Sequence, residues 1–543
     1  MDTILYNGSI ETMAGRRVAA AAIKNGRFAY VGEDAAVLAL ASESTKLIDL
    51  KGNFAVPGFA DSHIHMLSTG EHMERLDLRG SKSVEELVER GKKYLEAKQI
   101  PEGSWIIGVG FNDNGFDEPR MPTKDDLDLV STAHPIIFTR ICGHIGSINS
   151  YAIEVCGITT KTASPGGEFY RDANGQLNGI LSETALDLPH SAWPQIDKEK
   201  AARLLKTASE AYASSGLTAV HSDDLSSLGY NDLKDTALEL ANQGLLKVRI
   251  YEDCQGPTIE AIQELSKQGL KTGVGNSDFS ALCVKILADG SLGGATALLR
   301  EEYNDAPGDK GIAIYTQEEI DGLVKACHDA DFGVACHCIG DGALEMFLDA
   351  LEKSIASNPK PLINRVVHCQ IGSKQQYERM AALNVAADIQ PPFTATDAPI
   401  VLARVGQQRV KESYVWKSLL DYGIQLGGGS DSPVEPFAPL WGIYCAVTRC
   451  DGEGKEPWMP DERLSVMQAL ELYTIGPARL SNNLHNSGTI EAGKYADLVV
   501  LESDLFEIDP HSIKDVKVAM TIKGGDVTYS NGLLVEHFFK SGA

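Results

Sequence analysis

The run Pro57-Gly58-Phe59-Ala60-Asp61-Ser62-His63-Ile64-His65 ends an apolar, strand-like segment on two histidines spaced two apart. Alternate residues of a strand face the same way, so both imidazoles can enter one cavity and hold a borderline metal such as zinc. Two incidental histidines on a strand would read the same, so other segments must decide. His337 follows Val334-Ala335-Cys336, and His368 follows Arg365-Val366-Val367. Asp431 follows Leu426-Gly427-Gly428-Gly429-Ser430, where glycines permit close backbone approach. A carboxylate there can ligate a metal and also accept a proton from water that the metal has acidified. Strand alternation turns Cys336, Cys338 and Cys369 away from the histidines, which disfavours a cysteine-rich zinc site. Lys285, inside Cys283-Val284-Lys285-Ile286-Leu287, is costly to bury as an ammonium. Snorkelling to solvent is its ordinary reading, and it has no lone pair for a metal unless deprotonated or chemically modified.

These positions need a frame that brings them to one place. Residues 217–222, 247–251, 282–288, 332–338, 365–370, 384–390 and 425–429 are compact β-type runs. Several follow amphipathic stretches, at 198–214, 317–329, 343–354 and 373–383. With the strand ending at His63, the alternation predicts an α/β chain folded as a (β/α)8 TIM-like barrel, whose catalytic groups sit at the carboxyl ends of the strands. An open doubly wound sheet shares the alternation, and strand count alone does not separate the two. Short β-runs with Asn-Gly and Gly-Gly turns flank the barrel at both ends. They predict one composite β-sandwich from residues 1–56 and 486–543 around a barrel at 57–485. The stretch at about 75–200 is too long for one crossover helix and includes two extra strands, at 105–110 and 135–140. It reads as an insertion after the first barrel strand, rising beside the mouth, where long insertions commonly cover active sites.

On these residues the chain resembles the amidohydrolase superfamily, in the branch that includes N-substituted formamide deformylases. The flanks Asp289-Gly290-Ser291-Leu292-Gly293, Gly340-Asp341 and Gly429-Ser430-Asp431-Ser432-Pro433-Val434 carry the likeness to that branch. Gly488-Thr489-Ile490-Glu491-Ala492-Gly493-Lys494 and the run Gly143–Ser150 carry it too. The resemblance implies that His63, His65, His337, His368 and Asp431 bind metal. It also implies that Lys285 is carboxylated by carbon dioxide to a bridging carbamate, which would turn an awkward buried cation into an anion. One or two zinc ions are implied, with two favoured. The implied reaction is hydrolysis of a non-peptide C–N bond in a small-molecule substrate, a linear amide bearing an N-formyl or N-acyl group. Asp431 would shuttle the proton and Lys285 would hold the metals. Deamination or cyclic-amide opening on the same site is the alternative, and a non-catalytic scaffold on a hydrolase fold is the remote one. Secondary candidates for substrate contact are His144, Asp113, Arg409 and His221, which ends the second barrel strand and is expected to face the mouth. Asp117 and Arg120 share the loop of Asp113, which reads as a lid or a solvated turn. Gly108-Val109-Gly110 lacks the rest of a dinucleotide fingerprint and is discounted.

Composition limits the partners. Lys and Arg total 49 against 75 Asp and Glu, a formal net charge of −26 in 543 residues. Such a surface repels nucleic acid and anionic lipid. The first residues have no basic region or long apolar run, and no stretch of about 18 apolar residues occurs. Ten cysteines in this length form no dense disulfide framework. The expected location is therefore cytoplasmic, with a homodimer as the default assembly.

Overall fold

A computed structural model describes residues 1–140, 144–164, 166–193, 195–451 and 456–539. Its largest sheet has eight strands in sequential order. They are β1 (Phe59–Ile64), β2 (Leu217–Ser222), β3 (Arg249–Gln255), β4 (Phe279–Leu287), β5 (Gly333–Cys338), β6 (Arg365–His368), β7 (Ala386–Ile389) and β8 (Leu426–Gly428). All neighbouring pairs are parallel. β8 returns to β1 beyond its last ladder residue. Asp431 N–H donates to the His63 carbonyl at 2.8 Å, and His65 N–H donates to the Ser432 carbonyl at 3.0 Å. The sheet is thus a nearly closed barrel, sealed at the segment that carries His63, His65 and Asp431. Gly429 makes this approach possible: a Cβ there would lie 2.8 Å from His63 N and 3.0 Å from its carbonyl oxygen.

The crossover helices follow from spacing and caps. In Lys198–Ser214 the residues Ala201, Leu204, Leu205, Ala208 and Tyr212 recur at three and four and are buried, while the Asp197 side chain accepts from Lys200 N–H at the first turn. Gln317–Asp329 starts with a reciprocal capping box between Thr316 and Glu319. Such caps contribute roughly 1 kcal/mol each.

Both chain ends build two further sheets. Thr3–Tyr6, Ala20–Lys24, Arg27–Gly32 and Lys46–Asp49 are joined by Glu536–Phe538 in one of them. In the other, Leu498–Leu501 pairs antiparallel with Phe54–Pro57, and Val518–Lys523 and Asp526–Ser530 extend the sheet. One core holds both, from Leu5, Ile10 and Phe28 to Leu498, Val500 and Ile522. Arg249, at the start of β3, grips Asp497 through two bonds of 2.9 and 3.0 Å and lies over the Tyr495 ring, which fastens these sheets to the barrel floor.

Residues 71–196 form a separate compact unit. Its six-stranded sheet has parallel strands Leu76–Asp77, Ile106–Phe111 and Ile136–Arg140 followed by antiparallel Ile145–Ile148, Leu177–Glu183 and Gly167–Arg171. Gly143, the first residue of the run noted above, lies outside the described residues. The nine described cysteines are free thiols. Among the described residues no helix is long and apolar enough to cross a membrane.

Candidate metal centre

The carboxyl ends of β1, β4, β5, β6 and β8 place His63, His65, Lys285, His337, His368 and Asp431 around one space. Ligand atoms of His63, His65 and Asp431 lie within 4.8 Å of one another. Asp431 Oδ1 is 3.1 Å from His65 Nε2 and 3.5 Å from His63 Nε2. The His63 ring centroid is 5.6 Å from that of His368, which is 4.5 Å from that of His337. Phe393 stacks on His368 at 6.0 Å with an interplanar angle of 10°.

Three of the four imidazoles are oriented from behind. Nδ1 of His65 donates to the Asp223 carbonyl at 2.8 Å, Nδ1 of His337 to Asp289 Oδ1 at 2.9 Å, and Nδ1 of His368 to Gln390 Oε1 at 2.7 Å. An acceptor at Nδ1 fixes the tautomer and leaves Nε2 as the nitrogen for a cation, the arrangement that supports metal-bound histidines generally. Asp289 is itself fixed by the N–H groups of Leu298, Ile339 and Gly340. His63 Nδ1 is buried with no hydrogen-bond partner among the described residues. The donor set is four imidazoles and one carboxylate, with orienting acceptors already in place. It fits a borderline divalent metal.

Lys285 is 3% exposed and reaches the same space. Its Nζ is 3.2 Å from His63 Nε2 and 3.1 Å from Asp223 Oδ2. It does not snorkel to solvent.

Charge differs sharply between neighbours. Burial pushes the His63 pKa well below the ordinary imidazole value, with Lys285 and His65 adding to the effect. Burial also takes His368 down to about 3, helped by His337. For His65 burial acts the same way but is outweighed by the hydrogen bond and charge of Asp431 and the charge of Asp223, giving a value of about 9. Burial raises Asp431, yet its bond from His65 and the charges of His368, His65 and Lys285 leave it below the usual carboxylate range. Backbone strain collects here too: His368 has φ +77° and Asp431 φ +57°. Non-glycine residues at such angles cost about 1–3 kcal/mol and persist where the surroundings hold them.

The secondary candidates have partners of their own. His221 was expected at the mouth; its ring instead lies in the barrel interior, accepting from Arg365 Nη1 at 3.2 Å and meeting Tyr251 edge-on. The strand stagger of the barrel sets it level with Arg365, the first residue of β6. Arg409 spends its donors on the carbonyls of Val405, Glu301 and Glu302, so it ties the loop at 301–302 to its own helix and does not present a free guanidinium to an anion. In the insertion, Asp113 holds Arg140 at 2.5 Å and Arg120 holds Asp126 at 2.7 Å. His144 is exposed and 3.0 Å from Glu183.

Asp223 and Gln390 were not singled out from the sequence, and Asp289 was named only as part of a flank carrying the family likeness, with no role assigned. Each sits at or just beyond the carboxyl end of β2, β4 or β7. The positional signal that exposed the histidines was therefore present for them, but a lone acid or amide after a strand is too common to stand out.

Known proteins resemble this chain along most of its length. The model of a family described as "Amidohydrolase family" matches residues 46–529. The Bacillus subtilis protein YtcJ, named as an amidohydrolase, is 34% identical over 97% of this chain and 99% of its own. The N-substituted formamide deformylase of Arthrobacter pascens is 27% identical over 97% and 98%. The crystal structure of an uncharacterized metal-dependent hydrolase from Pyrococcus furiosus superposes with a TM-score of 0.77 at 30% identity, covering 92% of this chain and 99% of that one. With a strand-end donor set of this composition and likeness along nearly its whole length, the chain belongs to the amidohydrolase family.

Proposed function

We propose that the protein is a metal-dependent hydrolase that cleaves the C–N bond of a linear amide, an N-formyl or N-acyl group, on a small molecule. The observation that carries this reading is the orientation of His65, His337 and His368 by acceptors at Nδ1, beside His63 and Asp431. His63, His65, His337, His368 and Asp431 would hold the metal. When bound, a zinc-like divalent ion supplies Lewis acidity that activates water and polarises a carbonyl. Asp431 Oδ1, ionised and turned into the site, accepts the proton lost by the attacking water and returns it to the leaving nitrogen. The C–N bond breaks as the new C–O bond is kept, so one acid and one amine leave. His65 fixes the Asp431 carboxylate, and Phe393 closes the wall behind His368.

The likeness to the Arthrobacter deformylase supports the bond type. A panel of N-formyl amines, N-acyl amines, cyclic amides and amino-heterocycles tests it, scored for amine against ammonia release. Amine from the linear amides is the expected product. Ammonia from the heterocycles, with the linear amides untouched, would replace this reading by deamination.

For Lys285 the proposal is the carbamate, bridging two metals. Its Nζ already reaches His63, and divalent charge beside it would disfavour an ammonium and favour an anion. The 3.1 Å contact to Asp223 would then be given up. Protein prepared with labelled bicarbonate should show a carbamate carbon signal and two metals per subunit. In Lys285→Ala, signal, metal content and activity should fall together. Full activity in that variant, or a single metal with no carbamate signal in the parent, would remove the bridge while leaving the hydrolase reading intact.

A further inference from the structure

The insertion contains a cavity of about 730 Å³ that the proposed hydrolysis does not use, with Arg75, Arg79, Val109, Thr139, His190 and Trp193 among its lining residues. The insertion's sheet explains where it comes from. Ile106, Ile136 and Phe138 face one side, packed with Val84, Leu87 and Val88 from the helix Val84–Lys98. Ile107 and Ile137 face the other and pack with Ile148, Ala152 and Trp193. Val109 and Thr139, paired in register, continue that second face and border the cavity. Gly110 keeps it open: at φ +93°, a Cβ there would strike Arg79 Cγ at 2.5 Å.

The charges inside are unequal in their commitments. Arg79 holds Asp77 at 2.9 and 3.0 Å, and Arg140 holds Asp113 at 2.5 Å. Among the described residues Arg75 pairs only with Glu71, at 3.6 Å, and its Nε is buried with no hydrogen-bond partner. Its guanidinium lies 5.5 Å from the Trp193 ring centroid, and that ring packs on His190 at 4.6 Å. Burial and the neighbouring arginines hold His72 below the ordinary imidazole value, and burial does the same for His190. The cavity therefore offers one under-used planar cation, neutral imidazoles, an indole face and a valine. A carboxylate pairs with a guanidinium in two parallel bonds, and a flat apolar body suits the indole and valine.

We propose that this cavity binds a small aromatic carboxylate, with the carboxylate on Arg75 and the ring against Trp193 and Val109. Calorimetry on the full-length, metal-loaded protein tests it, with phenylacetate as probe and phenylacetamide as its neutral match. Saturable phenylacetate binding is expected, with the amide weaker by about tenfold or more, as for loss of one charge-assisted pair. Arg75→Met should weaken phenylacetate by the same factor. Val109→Trp should block it while keeping every charge, and decides the matter if Arg75→Met does not fold. His63→Ala, which disturbs the metal centre, should bind phenylacetate as the parent does. Equal affinity for acid and amide, unchanged binding in the cavity variants, binding lost in His63→Ala, or no binding at millimolar probe would each overturn the proposal.

Discussion

Asp431→Asn protein is expected to keep its metal and to turn over about 10²–10⁴-fold more slowly, the range contributed by a positioned acid–base group. An asparagine oxygen can still face a cation and accept from His65, so the frame of the centre survives. What is lost is a group that takes a proton at neutral pH. The Asp431 carboxyl is held low by His65, His368 and Lys285 against the effect of burial, which suits it to begin the cycle ionised. Metal analysis per subunit, set beside kcat, separates this from simple loss of the ion. A variant with normal kcat would take proton transfer away from Asp431. One stripped of metal would make it chiefly a ligand.

The second large effect is expected beneath the metal centre. Arg365 is fully buried, donating to both oxygens of Asp253 and to His221, with Asp388 at 3.2 Å. Asp253 in turn accepts from Cys283 N–H, two residues before Lys285. This single guanidinium, from β6, gathers side chains of β2, β3 and β7. Arg365→Met leaves two carboxylates in an apolar interior without their cation, and removing one partner of such a buried set costs about 3–5 kcal/mol. Chemical denaturation should show a clear drop in midpoint, with part of it recovered when Asp253→Asn and Asp388→Asn are added. An unchanged midpoint in Arg365→Met alone would mean that the interior tolerates the bare carboxylates. Burial already pushes Asp388 up to about 7, so at acid pH its protonation should soften the penalty.

The barrel and the gathering of histidines at its strand ends were legible because apolar strands ended in imidazole, a pairing rare enough to carry information. The helix at 198–214 was read to its last residue from its apolar spacing, and the Asp197 cap found in the structure agrees with its start. Strand β3 was harder. The run at 247–251 stops before an acidic pair, yet the strand continues through Glu252 and Asp253 to Gln255. Both acids are interior residues: Asp253 is held by Arg365, 112 positions away, and Glu252 accepts from Asp224 N–H. Nothing local announces that pairing, and a charged dipeptide reads as a loop until the barrel closes around it. His221 was misplaced for a related reason, because strand stagger decides which layer of a barrel a residue enters. The edge strand Glu536–Phe538 was not expected either; its residues are exposed and show no alternation.

The seam between β8 and β1 has a consequence for the order of events during synthesis. Five of the six proposed donors have been made by the time β6 is complete, but the backbone bonds that seat His63 and His65 come from Asp431 and Ser432. A nascent chain that has emerged only through β7 carries histidines on an unsealed sheet. Until the segment after the eighth strand emerges, the seam stays open and the proposed metal site would lack the backbone bonds that seat its first two histidines.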